Sequence, residues 1–176
     1  MTGRLRNLRR IKNYNRAFLR LRQRKVRKIV NNHKEKFEIC VRGVIFKNKK
    51  ILVCRNKEKG YFYFPGGHVE FGESAKQALV RELNEELKIS IKKVFYIGGG
   101  ENIFNQEGKK HHEINLIFNV SVDSVDDKSR EDYIDFFFFG REKFLKEKVL
   151  PVSLQKAVIN WQKNEKMFWI SQSNKN

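Results

Sequence analysis

The chain has 176 residues, 40% hydrophobic and 12% aromatic, which is enough for one domain with a real core. Its 38 Lys and Arg against 20 Asp and Glu give a formal charge of +18, so an anionic partner is expected. No apolar run is long enough to span a bilayer and no apolar signal region opens the chain, so a membrane-spanning or secreted protein is not expected.

The charge is uneven. Residues 1–34 hold thirteen Lys or Arg and no acid, leaving 25 basic and 20 acidic side chains, about +5, for residues 35–176. The chain therefore reads as a basic N-terminal arm followed by a catalytic-sized domain over 35–176. In the arm, Leu5, Leu8, Ile11, Tyr14, Phe18 and Leu21 form a loose stripe at helical spacing. Without acids, no internal salt bridge supports that helix, so ordering on a partner is expected. RNA or another polyanion, an anionic membrane surface, and docking on its own domain all suit the arm. It also fits a mitochondrial transit segment, although it lacks serine. The expected location is cytoplasmic, or mitochondrial if the arm is such a segment.

From Glu35 the pattern changes. Phe37 to Arg42 alternates and Gly43 to Phe46 continues the strand; Lys47 to Lys50 reads as a turn, and Ile51 to Cys54 returns as a hairpin. Cys40 and Cys54 lie in these strands without metal-ligand spacing, so reduced packed thiols are expected. Arg55 to Gly60 is a charged loop. Tyr61 to Phe64 is a short aromatic strand, suited to core packing or to stacking on a base, and it leads into Pro65-Gly66-Gly67.

Ser74, with Gln77 three residues on, fits a capping box for a helix whose Ala75, Ala78, Leu79, Leu83 and Leu87 form one apolar stripe. Glu82, Glu85 and Glu86 fall at i, i+3 and i+4, so their carboxylates gather on a neighbouring face. Three such charges repel, and a hard divalent cation with a phosphate substrate relieves that repulsion. Beyond the helix, 91–97 reads as a strand interrupted by Gly98-Gly99-Gly100, and 101–110 as a polar loop. A strong strand covers 111–120, an acidic loop 126–132 and a very apolar strand 134–139. Helices are expected over 141–148 and 152–164, then a short apolar tail over 167–170. The order of elements indicates an α+β or α/β domain.

Gly67, five residues, Glu73, seven residues, Arg81-Glu82-Leu83, one residue, Glu85-Glu86, one residue, then Lys88-Ile89 resembles the Nudix box. A solvated acidic helix explains neither the Pro65-Gly66-Gly67 lead-in nor Glu73. Lys88 stands where the family usually carries glycine; this suggests a helix exit without a left-handed cap and puts a lysine in the last turn, where the helix dipole favours it. The resemblance covers about residues 37–162 and implies the Nudix fold, a mixed β-sheet sandwiched between α-helices, in the α+β class.

It implies divalent-metal-dependent hydrolysis of a phosphoanhydride, with Mg²⁺ or Mn²⁺ held by Glu82, Glu85, Glu86 and the carbonyl of Gly67. Glu86, or an acid from outside the helix, would accept a proton; Glu113 is the leading outside candidate and Glu131 the second. Arg81 would pair with Glu73 to hold the loop on the helix. Arg55, Lys57 and His68 are placed near substrate phosphates. The substrate class expected is a small nucleotide: a nucleoside triphosphate, an oxidised nucleotide or an ADP-ribose-like nucleotide sugar. The alternative is hydrolysis at an RNA 5′ end held by the arm. Oligomeric state is not fixed by the sequence.

Overall fold

The structure, a computed structural model, describes residues 35–173. The basic arm expected over 1–34 lies outside the described residues.

The strands β1 (Glu35–Lys47) and β2 (Lys50–Asn56) pair antiparallel, with Lys47 opposite Lys50. Asn48 and Lys49 turn between them at φ 52° and 61°, the positive values that a tight two-residue hairpin demands. Next come the short strand β3 (Phe62–Tyr63) and helix α1 (Ala75–Glu86). The strands β4 (Leu87–Gln106) and β5 (Lys109–Ser129) follow, then β6 (Ile134–Phe139). Helix α2 (Arg141–Lys146), strand β7 (Val149–Leu150), helix α3 (Val152–Asn164) and strand β8 (Phe168–Ser173) complete the domain.

The strands form one mixed sheet in the order β7-β3-β2-β1-β5-β4-β8, with β6 on the other side of β2. Period-two alternation along each strand divides the core between two faces. Val41, Ile45, Leu52, Phe118 and Val120 pack with Ala78, Leu79 and Leu83 of α1. Val44, Val53, Ile117 and Phe139 pack with Phe144 of α2 and with Leu154 and Val158 of α3. This is the sheet between helices expected for the α+β class. Full burial of Leu79 and Leu83 is worth about 1.5–3 kcal/mol each, and it fixes which way the opposite face of α1 points.

The capping box forms: Ser74 Oγ accepts from Gln77 N–H, and Gln77 Oε1 accepts from Ser74 N–H at 2.9 Å. The helix ends one residue earlier than its apolar stripe suggested. Leu87 is extended, at φ −133°, and the chain passes straight into β4. Lys88 therefore belongs to a strand, and the expected favourable contact with the helix dipole is absent.

Three segments differ from expectation. The acidic stretch after Val125 continues β5 as far as Ser129. Residues 101–106 and 109–110 extend the β4–β5 hairpin, which turns at Glu107 and Gly108. Gly98-Gly99-Gly100 does not interrupt β4. It lies buried within it because β8 pairs in parallel alongside, Gly98 opposite Phe168 and Gly100 opposite Ile170. A Cβ on Gly100 would run into Ile170. The glycines make room for a neighbouring strand some 70 residues distant in sequence, which local pattern cannot reveal. Gly100→Val is expected to cost about 1–3 kcal/mol, the usual range for overpacking. Urea denaturation of the variant checks it, and an unchanged midpoint would contradict this account of β8.

Candidate active site

The loop ahead of α1 is held along β1. Gly43 N–H donates to Pro65 O at 2.8 Å, Val41 N–H to Gly67 O at 2.9 Å, and Val69 N–H to Ile39 O at 2.9 Å. Gly66 has φ 132°, and a Cβ there would overlap the backbone carbonyl of Val41, so only glycine fits. Gly67 lies against the carboxylate of Glu82, where a side chain would collide. The loop is thus pressed between a strand and the acidic face of α1. One lone pair of the Gly67 carbonyl is already committed to Val41.

Arg81 ties this loop to the helix. Its Nη2 and Nε donate to the two carboxylate oxygens of Glu73 at 2.7 and 3.2 Å. Its Nη1 donates to Glu82 at 3.0 Å and to Glu85 at 3.2 Å, and Nη2 also reaches the carbonyl of His68 at 3.1 Å. The planar fork suits such a bidentate grip. Hydrogen bonds from Arg81 and from Glu70 N–H hold the Glu73 carboxyl below the usual carboxylate range.

The three glutamates of α1 sit in different surroundings. Glu85 is exposed, Glu82 lies under Gly67, and Glu86 is buried with Oε2 lacking any hydrogen-bond partner. Burial first, and then the charges of Glu82 and Glu131, push the Glu86 carboxyl up from 4.5 to about 8; Arg42 and a hydrogen bond with the Gly66 backbone oppose the rise. Glu131 carries a second buried, unpartnered carboxylate oxygen, and the hydroxyl of Tyr133 is hydrogen-bonded to its carboxylate. Among the described residues, no three His, Cys, Asp or Glu side chains already converge on one point. Glu82 and Glu85 are turned to Arg81 instead. The mutual repulsion of these acids and the orphaned oxygens of Glu86 and Glu131 nevertheless suit a hard divalent cation, which prefers oxygen ligands.

Arg42 was not singled out by the sequence reading. Its Nη1 donates to Gly66 O at 3.2 Å, its Nε to Asn115 Oδ1 at 3.1 Å, and Nη2 stands 4.0 Å from Glu113. Asn115, itself buried, donates to the same Glu113 oxygen at 3.2 Å. One cation thus links the glycine loop to Asn115 and Glu113, and its charge also acts on Glu86. The available signal was an arginine between Val41 and Gly43 and an asparagine between Ile114 and Leu116, polar residues within apolar runs.

Arg42 and Glu113 line a cleft of about 630 Å³ whose walls include Tyr61, Tyr63 and Phe104. Phe104 is held there by stacking on His111, 4.9 Å between centroids. Of the phosphate-site candidates, His68 is exposed and stands 3.5 Å from Glu38. Arg55 and Lys57 both pair with Asp135, at 3.3 and 3.5 Å, on the Glu131 side rather than in this cleft. Cys40 and Cys54 are buried and free, and burial is the main cause raising both thiols.

The NUDIX domain model matches residues 36–161. The chain belongs to the Nudix family. Among curated relatives, an ADP-ribose pyrophosphatase of Methanocaldococcus jannaschii is 32% identical over 106 residues, 57% of this chain and 60% of that protein. An 8-oxo-dGTP diphosphatase of Escherichia coli is 37% identical over 60 residues, 32% of this chain and 46% of that protein. The match thus spans 60% of the first relative's length and less than half of the second's. A MutT protein structure from Bacillus halodurans superposes with a TM-score of 0.65 at 16% identity, covering 77% of this chain and 89% of that one, a likeness of fold. Among the described residues, no helix is long and apolar enough to cross a membrane.

Two outcomes are expected of this Nudix site. In a double-mutant cycle of Arg81→Lys and Glu73→Gln on turnover, the two losses should not add, because either change breaks the same contact; strict additivity would count against the pair. Glu86 is raised on folding, so between pH 4.5 and about 8 the folded state holds a proton that the unfolded state has lost. Its contribution to stability is complete below 4.5 and is lost as pH rises through about 8. In EDTA, wild type should lose stability relative to Glu86→Gln as pH rises across this window. Parallel pH curves for the two would refute a raised Glu86.

Proposed function

We propose that the domain is a divalent-metal-dependent pyrophosphohydrolase that cleaves a phosphoanhydride bond in a small nucleotide. The substrate class is a nucleoside triphosphate, an oxidised nucleotide or an ADP-ribose-like nucleotide sugar. The supporting observation is that Arg42, whose charge acts on the buried and half-satisfied Glu86, also lines a 630 Å³ cleft with aromatic walls. That size and lining suit a nucleoside. The named activities of the relatives, on ADP-ribose and on 8-oxo-dGTP, belong to the same class of chemistry.

Glu82, Glu85 and Glu86 would hold Mg²⁺ or Mn²⁺, with Glu131 beside them and the free lone pair of the Gly67 carbonyl available. The cation, when bound, neutralises diphosphate charge and makes a water more acidic. The chain's residues do the rest. With the cation bound, the ionised carboxylate of Glu86 would accept the proton of the attacking water. Arg81 positions Glu82 and Glu85 and leaves them a counter-charge at rest. Arg42 holds Glu113 at the cleft wall and hydrogen-bonds the Gly66 carbonyl. Tyr61, Tyr63 and Phe104 offer faces to a base and exclude water from one side of it.

Turnover of a nucleotide panel with Mg²⁺, with Mn²⁺ and with EDTA tests the reading. Activity should require the metal, and Glu86→Gln should lower kcat by about two to four orders of magnitude, the range of general-base and positioning effects. Equal activity in wild type and Glu86→Gln would overturn the assignment.

A further inference from the structure

A second groove, about 760 Å³ in volume, runs along β6, away from the nucleotide cleft. Among the described residues β6 pairs only with β2, so the groove borders an open strand edge. Four lysines line it: Lys47 and Lys50 beside the β1–β2 turn, Lys88 at the start of β4, and Lys143 on α2. All four are exposed. Lys47 donates to the carbonyl of Val125 at 2.9 Å and lies over the ring of Phe138, and Lys143 sits 4.4 Å above the ring of Phe139. Asp126 is the single acid in the lining, and its Oδ1 accepts from Lys128 N–H. None of the four lysines makes an ion pair among the described residues. These cations repel one another and gain most from a ligand carrying several negative charges.

The groove adjoins the Glu131 side of the domain. Its floor residues Phe136 and Phe137 also line a depression of about 470 Å³ that contains Lys128 and Glu131. Glu131 is the acid whose charge acts on Glu86. Four residues of β6, Phe136 to Phe139, line the groove and span about 13 Å at ~3.3 Å each.

We propose that this groove binds the sugar–phosphate backbone of single-stranded nucleic acid. The choice of ligand rests on the nucleotide reading of the adjoining site: a polyanion that passes from that site along β6 is a nucleotide whose chain continues. A basic groove that tracks the phosphate backbone is the feature by which single strands are held without sequence preference. An acidic peptide added to the open edge of β6 is the competing occupant.

The test uses the full chain and a labelled twelve-nucleotide single-stranded RNA. Affinity is measured by fluorescence anisotropy across a salt series for wild type and for K50Q/K143Q. Removing two phosphate contacts should weaken binding and reduce the slope of log affinity against log salt by about 1.4, at ~0.7 per contact. In wild type, RNA should protect Lys50, Lys88 and Lys143 from amine acylation. Hydrolysis of a nucleoside triphosphate, followed in parallel, should be the same in K50Q/K143Q. If wild type hydrolyses no nucleotide, the activity reading fails; RNA protection of the three lysines then still reports on the groove alone. An unchanged salt slope with no protection overturns the proposal, because the RNA is then held elsewhere. Protection by a poly-glutamate peptide but not by RNA also overturns it, in favour of the acidic peptide.

Discussion

The contact between the glycine loop and the acidic face of α1 decides the rest of the site. Gly67 lies against the carboxylate of Glu82, and Arg81 reaches across to Glu73 and to the carbonyl of His68. A loop rich in glycine and flanked by acids would otherwise be free to move. Here it is clamped from two sides, by backbone hydrogen bonds to β1 and by one guanidinium on α1. Any side chain at position 67 would force the loop off the helix, and any cation shorter than arginine would lose part of the grip.

From that clamp follows the electrostatic character of the site. Glu86 is the last residue of α1, so it is buried where the helix turns into β4. It keeps an orphaned oxygen because the loop and strand leave no donor for it. Such a group is costly in an apolar core unless something satisfies it. Arg42 moderates the cost from one side. It is a cation in a strand interior, compensated by Glu113, Asn115 and the Gly66 carbonyl. The same arginine lines the cleft, so one side chain stands at the cleft wall and acts by its charge on Glu86.

The two faces of the sheet carry different loads. One face is closed by α1 and holds the carboxylates; the other is closed by α2 and α3. The strand β8 seals the β4 edge and depends on three consecutive glycines to approach it. On the opposite side, β6 is left open among the described residues, with lysines on its flanks. Lysine beside an open edge disfavours pairing with another sheet, so the same residues that suit an anionic ligand also protect the fold.

The capping box, the apolar stripe of α1 and the clustering of Glu82, Glu85 and Glu86 were all legible in the sequence, because each is set within one or two helical turns. The β1–β2 hairpin was legible for the same reason: its turn and alternation are local. The box spacing supplied the family and its fold. Only the tertiary structure decided what is non-local. Whether Lys88 lies in a helix or a strand depended on β4 pairing with β5 from Leu87 onward. The role of Gly98-Gly99-Gly100 depended on a strand some 70 residues away. The three glutamates look alike in sequence, yet burial separates Glu86 from exposed Glu85, and burial belongs to the packed sheet. Arg42 and Asn115 meet across 73 residues, and only the register of strands brings them together. Arg55 and Lys57, expected near the phosphates, both pair with Asp135 from the adjacent strand, which local sequence does not reveal. Local spacing fixes which side chains share a helical face; pairing and burial fix which of them keep an unsatisfied charge.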